Sequence, residues 1–182
     1  MIVKNILKEW SSAFKFFELK KYGLIFRKGG IHERQFDEND GYFGIFKTFE
    51  HESNGNIKDS YKSLLSTSND SYTGEFDLEY ACKIQNSFII PDIESLNIID
   101  DYHPWKSEYL IERFNFRKSK DMKAYILEIQ KLKIPKKVNY DVKSAKGCKS
   151  WFELENPTNT FATIKINDPM NENKIINILK NL

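Results

Sequence analysis

The stretch Phe76-Asp77-Leu78-Glu79-Tyr80-Ala81-Cys82-Lys83-Ile84, running on to Ile90 and closed by Pro91, decides how this chain is read. Phe76, Leu78, Tyr80, Cys82 and Ile84 fall on alternate positions. That is the two-residue period of a strand that buries one face. The run is long enough for one long strand or a strand pair.

Working outward, strand-like runs outnumber helical ones. Tyr42 to Phe49 reads as a strand opened by the turn Asn39-Asp40-Gly41, and Tyr22 to Arg27 as another. Gly29-Gly30 suits a two-residue hairpin, because glycine accepts the positive φ that such turns demand, and Ile31 to Phe36 would be the returning strand. Before them, Leu7, Trp10, Phe14 and Phe17 recur at helical steps and predict an N-terminal helix, stopped by Lys20, Lys21 and Gly23. The first third is thus expected to be a helix followed by an antiparallel meander. Ile57, Tyr61, Leu64 and Leu65 also stand at helical spacing.

Towards the C-terminus, Ser95 to Asp101 reads as irregular. Trp105 to Phe114 reads as a helix with Pro104 at its first turn. Asp121 to Leu132 predicts a central strand ended by Pro135, and Ser150 to Leu154 and Phe161 to Ile166 two shorter ones. Asn171 to Leu182 closes the chain as an amphipathic helix through Ile175, Ile178, Leu179 and Leu182. Strands and helices do not alternate regularly. The pattern therefore predicts an α+β fold: a mixed, mostly antiparallel sheet with flanking helices, in a single domain over residues 1–182.

Composition sets the class. At 182 residues, with 40% hydrophobic and 14% aromatic content, the chain has the material for a substantial core. Disorder would need low hydrophobicity and high net charge. Twenty-eight basic residues against 26 acidic leave a net charge of +2, which demands neither nucleic acid nor an acidic membrane; only a local patch would. Cys82 and Cys148 lie far apart with no zinc-type spacing, so free thiols in a reducing compartment are expected, with no metal. No stretch approaches the roughly 20 apolar residues of a membrane span, and the cytoplasm is the expected location.

Four groups of polar residues carry possible chemistry. Arg27, Lys28, Gly29 and Gly30 place two cations before two backbone N–H groups at a glycine turn, an arrangement that suits phosphate. It matches neither a nucleotide-triphosphate loop nor a dinucleotide fingerprint, and a hairpin tip with solvated cations accounts for it equally. His32, Glu33 and His51 are the metal-ligand or acid–base types, but His32 and Glu33 are adjacent and on one strand would point to opposite faces. Trp105 and Arg113, near His103, combine a stacking surface with a cation, as single-stranded nucleic-acid sites do; packing of Trp105 with a surface Arg113 is the plain alternative. Cys148 has no local base and reads poorly as a nucleophile. Glu9 is expected to pair with Arg27 or Arg113 inside the fold. Neither Glu79 to Lys83 nor Glu128-Ile129-Gln130-Lys131 fits the acidic and lysine spacing of restriction-type nucleases.

Five segments together resemble one bacterial and archaeal family. They are Leu7-Lys8-Glu9-Trp10, Phe26-Arg27-Lys28-Gly29-Gly30-Ile31-His32-Glu33, Thr48-Phe49-Glu50-His51, His103-Pro104-Trp105 with Arg113, and Gly147-Cys148-Lys149-Ser150-Trp151-Phe152-Glu153-Leu154. In this order they resemble the family known as domain of unknown function 1802. The sequence departs from that pattern at Lys47, where the resemblance implies proline, and at Glu128, where it implies a basic residue. The resemblance carries no activity. It implies an association with Mrr-type restriction endonuclease domains, and so a setting in DNA restriction or defence.

Three functions stay open on the sequence. The first is a nucleic-acid-associated accessory or recognition domain that binds DNA or RNA, with a restriction-type nuclease as partner and no membrane. Exchange of Arg27 and Lys28 together for Ala is its expected probe, with the fold intact. The second is a metal-dependent phosphodiesterase or nuclease using Mg²⁺ with His32 or Glu33 and His51. The third is a protein-interaction module without catalysis. Whether the chain is an enzyme, and its oligomeric state, are not set by these residues.

Overall fold

A computed structural model describes residues 1–28, 41–49, 52, 55–66, 68, 72–116, 121–147 and 149–182. Seven strands form one sheet: β1 (Ile2–Trp10), β2 (Gly23–Lys28), β3 (Phe43–Thr48), β4 (Glu75–Ile90), β5 (Met122–Asn139), β6 (Trp151–Asn159) and β7 (Thr163–Lys165). The sheet order is β2-β5-β4-β3-β1-β6, with β7 also on β5. Among the described residues only the β1–β3 pairing is parallel. Five α-helices accompany it: α1 (Ser11–Lys20), α2 (Ile93–Ile98), α3 (Ser107–Asn115), α4 (Val142–Ala145) and α5 (Pro169–Leu179). The fold is α+β with a mostly antiparallel sheet, as the pattern predicts.

The deciding stretch is a single strand, β4, but its alternation is not that of one face. Leu78 belongs to one buried cluster, with Val3, Ile6, Phe46, Val138 and Phe152. Tyr80, Cys82 and Ile84 belong to the other, with Leu7, Phe14, Phe17 and Leu24. The ladder with β5 shifts register between Leu78 and Tyr80, and this irregularity turns the following side chains to the opposite face. The same shift explains why Pro135 does not end β5. Leu78 pairs with Lys136 and Tyr80 with Lys131, so Leu132 to Pro135 oppose Glu79 alone. Pro135 therefore sits where β4 asks for no ladder donor, the kind of place in which a strand tolerates proline.

Three other expectations are corrected. The helical spacing of Leu7, Trp10, Phe14 and Phe17 conceals a strand followed by a helix: β1 ends at Trp10 and α1 starts at Ser11. β1 lies between β3 and β6 and buries both faces, Ile6 in one cluster and Leu7 in the other, so it shows no clean alternation. The expected stop holds: Lys21 adopts the left-handed conformation and donates its N–H to Phe17 O at 2.8 Å. The early meander does not form, because β5 and β4 lie between β2 and β3; Gly29, Gly30 and the expected returning strand Ile31 to Phe36 lie outside the described residues. Ser95 to Asp101 is not irregular: α2 covers its first part, with Asp92 accepting from Ser95 N and Oγ, both at 2.8 Å, and a 3₁₀ turn covers Asp100–Tyr102.

β2 and β7 occupy the same edge of β5, one after the other. The gap between them is closed by a side chain. Asn167, buried, accepts from Ile129 N–H and donates to Leu127 O, both at 2.8 Å, and so continues the ladder as a strand would.

Candidate functional site

β1 and β2 are separated by three strands in the sheet order, yet their C-terminal ends touch. Arg27 donates from one terminal nitrogen to Glu9 Oε2 at 2.7 Å and to Lys8 O at 3.1 Å. The sheet must curl to allow this. Both side chains are largely buried, with 15% and 13% of their surfaces exposed, and Glu9 Oε1 accepts the Trp10 N–H at 2.9 Å. The expected pairing of Glu9 is thus with Arg27. Arg113 turns instead to the Tyr109 hydroxyl, at 3.2 Å, with its guanidinium over the Tyr109 ring.

Beside this ion pair opens a cleft of about 590 Å³. β1 supplies Lys8, Glu9 and Trp10, and β2 supplies Arg27 and Lys28. α3 and its flanks supply Trp105, Tyr109, Arg113 and Phe116, while Gly147, Lys149 and Ser150 close it from the loop before β6. Tyr109 and Arg113 follow at a step of four within α3 and fall on one face, while Trp105 precedes the helix and is bridged to Ile57. Four candidate residues from two separate groups, Arg27 and Lys28 from one and Trp105 and Arg113 from the other, line this one cleft. All five segments of the family resemblance send residues to it, Thr48 included. Gly29, Gly30, His32, Glu33, His51 and Cys148 lie outside the described residues.

Among the described residues, five cations line the cleft and one carboxylate, Glu9, faces them. Arg27 already answers that carboxylate. Lys28 binds the Phe114 carbonyl and lies over the Phe114 ring. Lys8 reaches the carbonyls of Ala145 at 3.0 Å and Gly147 at 2.9 Å, which draws the end of α4 and Gly147 against β1. Among the described residues, Lys28, Arg113 and Lys149 have no carboxylate partner.

Aromatic rings form the other half of the lining. Trp105 is 7% exposed and meets Trp10 edge-on, with ring centres 4.8 Å apart, so it backs the wall rather than forming its surface. Trp10 and Tyr109 lie closer to parallel, 5.5 Å apart at 34°. Burial raises the Tyr109 hydroxyl above its ordinary pKa, with Arg113 pulling the other way, and it stays a neutral acceptor for that arginine. Phe116, by contrast, is 61% exposed.

His103 is no part of the cleft surface. It is buried edge-on to Phe26, and burial, aided by the nearby Lys58 ammonium, pulls its imidazole down to about 3. Neither stretch compared with the nuclease spacing forms a site: Glu79 pairs with Lys47, Glu128 accepts from Tyr42 and Gln130, and Lys131 pairs with Glu18. No cluster of His, Cys, Asp or Glu able to hold a metal ion is found among the described residues, nor any helix long and apolar enough to cross a membrane.

Sequence reasoning missed Trp10, Tyr109, Phe116, Lys8 and Lys149 as lining residues. Trp10 was expected in a core stripe, and its place at a strand end beside Lys8 and Glu9 was the available signal. Tyr109 stands four residues before Arg113 on the same face of α3 and could have been added from that spacing.

The fold and cleft define a curled α+β sheet domain with a basic, aromatic-lined groove. The chain belongs to the family described as domain of unknown function (DUF1802), whose model matches residues 6–170. No curated protein and no solved structure matches it.

Proposed function

We propose that this chain is a nucleic-acid-binding accessory domain that holds the phosphate backbone of DNA or RNA along the cleft. A restriction-type nuclease as partner, supplying any catalysis, belongs to the same reading. The observation that carries it is the charge of the lining: five cations against one carboxylate among the described residues, in a chain whose net charge is only +2. A folded protein that concentrates cations without acidic partners raises its self-repulsion there, and a polyanion relieves it. Aromatic faces interleaved with those cations are the usual companions of strand binding.

The experiment is a titration of labelled duplex and single-stranded oligonucleotides against the purified chain at several salt concentrations. Three unpaired cations engaging phosphates give a slope of log affinity against log salt of about −2 on a single strand. Arg113→Ala with Lys149→Ala should weaken binding and bring the slope to about −1 or shallower. Arg27 is unsuitable as a probe, because it holds a buried carboxylate and its loss disturbs the fold. Absence of binding to either form at low salt would overturn the proposal.

A further inference from the structure

The cationic character of the cleft continues past its rim. Lys149 lines the cleft, and Lys146 and Lys143 precede it in the chain at steps of three. All three side chains are exposed, and among the described residues none has an ion-pair partner. From Tyr140 to Phe152 the chain carries these three lysines and one acidic residue, Asp141. Asp141 is engaged at the start of α4, where its Oδ1 accepts the Lys143 N–H at 3.1 Å. The row of positive charge therefore runs from the cleft to Asp141 and stops there.

A run of surface lysines is ordinarily a solvated face. Here its backbone is fastened to the cleft. The Lys8 side chain binds Ala145 O and Gly147 O, the two carbonyls on either side of Lys146, and the Lys8 N–H donates to Ser150 O at 2.8 Å. Ala145 is fully buried and packs with Val3, Ile6 and Phe152, which anchors α4. Lys146 is thus held at the rim by a residue that itself lines the cleft. Lys143 lies one helical turn further out, about 5 Å along the axis. A fixed backbone sets where each ammonium can reach, while the flexible stem leaves it free to meet a phosphate.

We propose that a nucleic-acid strand longer than the cleft leaves it past Lys149 and lays its phosphate backbone along Lys146 and Lys143, as far as Asp141. The proposal rests on the nucleic-acid reading above and gives it a direction and a length. The cleft supplies three cations without carboxylate partners, and the row adds two more.

The test measures the salt dependence of binding for a short single strand of about 4 nucleotides and a long one of about 12, within the span of known strand-binding modules. Three phosphate contacts give the short probe a slope of log affinity against log salt of about −2, and five give the long probe about −3.5. Lys143→Ala with Lys146→Ala should bring the long probe to about −2 and leave the short one unchanged. Both positions are exposed, so the fold tolerates the exchange. Lys133→Ala with Lys165→Ala removes the same charge from exposed positions on β5 and β7, outside the cleft, and should alter neither slope. An unchanged slope for the long probe in the Lys143/Lys146 variant, an equal change for both probes, or the same effect from the Lys133/Lys165 variant overturns the track while leaving the cleft reading in place. Absence of binding to either probe at low salt overturns both.

Discussion

The Glu9–Arg27 pair gives the sharpest test of how the cleft is held. Replacing Arg27 by Met keeps much of the apolar stem and removes the guanidinium. Glu9 then loses its 2.7 Å partner and retains only the Trp10 N–H, with 13% of its side chain in water. The Lys8 carbonyl loses a donor as well. Breaking a buried pair from one side costs about 3–5 kcal/mol; the remaining exposure lowers the expected loss here to about 2–4 kcal/mol. In a domain of this size that corresponds to a fall in Tm of roughly 5–15 °C. Glu9→Gln retains an acceptor for Trp10 but strands the cation, which can still use Lys8 O, and should cost less, about 1–2 kcal/mol.

The double variant removes both charges and should recover about 1–3 kcal/mol relative to the sum of the single losses. Urea unfolding followed by tryptophan emission measures all four proteins, with an unchanged m-value required for the comparison. A coupling below about 0.5 kcal/mol would refute the claim that this ion pair fastens β2 to β1.

Two further predictions follow from buried polar groups. His103 has its pKa pulled down to about 3 in the fold by burial and Lys58, with Asp100 opposing, against about 6.5 unfolded. The unfolded chain therefore binds the extra proton first, so stability is complete above about pH 6.5 and declines towards pH 3; between pH 6.5 and 5 the loss from this group should approach about 2 kcal/mol. His103→Phe should flatten that limb of the stability–pH curve, and an unchanged limb would show that His103 is not held neutral. Asn167→Ala strips partners from Ile129 N–H and Leu127 O in the middle of the sheet and should cost about 2–4 kcal/mol. Hydrogen exchange at the Ile129 amide should speed up with it, and a loss under about 1 kcal/mol with unchanged exchange would contradict the bridging role.

Legibility from sequence followed the physics of each element. Strands with one dominant pattern, such as Tyr22 to Arg27, and helices with clear faces, such as Trp105 to Phe114 and the C-terminal helix, read correctly to within a few residues. The errors arose where two signals overlapped. β1 carries core on both faces and runs straight into α1, and the joined apolar positions happen to fit a helical period. Phe76 to Ile84 carries apolar residues at alternate positions in sequence, yet the register shift at Glu79 divides it between two cores. Nothing local marks that shift, because it is set by the pairing of β4 with a distant β5. The site was partly legible. Arg27, Lys28, Trp105 and Arg113 were identifiable as cations and aromatics, but their meeting depends on the curl of the sheet.

That curl also reorders the importance of the cleft residues. Arg27 is the most motif-like cation in the sequence, and the structure gives it a carboxylate and a carbonyl to hold. Its charge is spent within the protein, and what it contributes to the cleft is position. Lys8 is likewise tied to the carbonyls of Ala145 and Gly147. The lining is therefore fixed before anything enters it, which spares a ligand the cost of ordering the walls. On the proposed function, binding would then fall to the cations without carboxylate partners, Lys28, Arg113 and Lys149. Substitutions at Arg113 and Lys149 should separate recognition from folding, whereas substitutions at Glu9 and Arg27 should move both together.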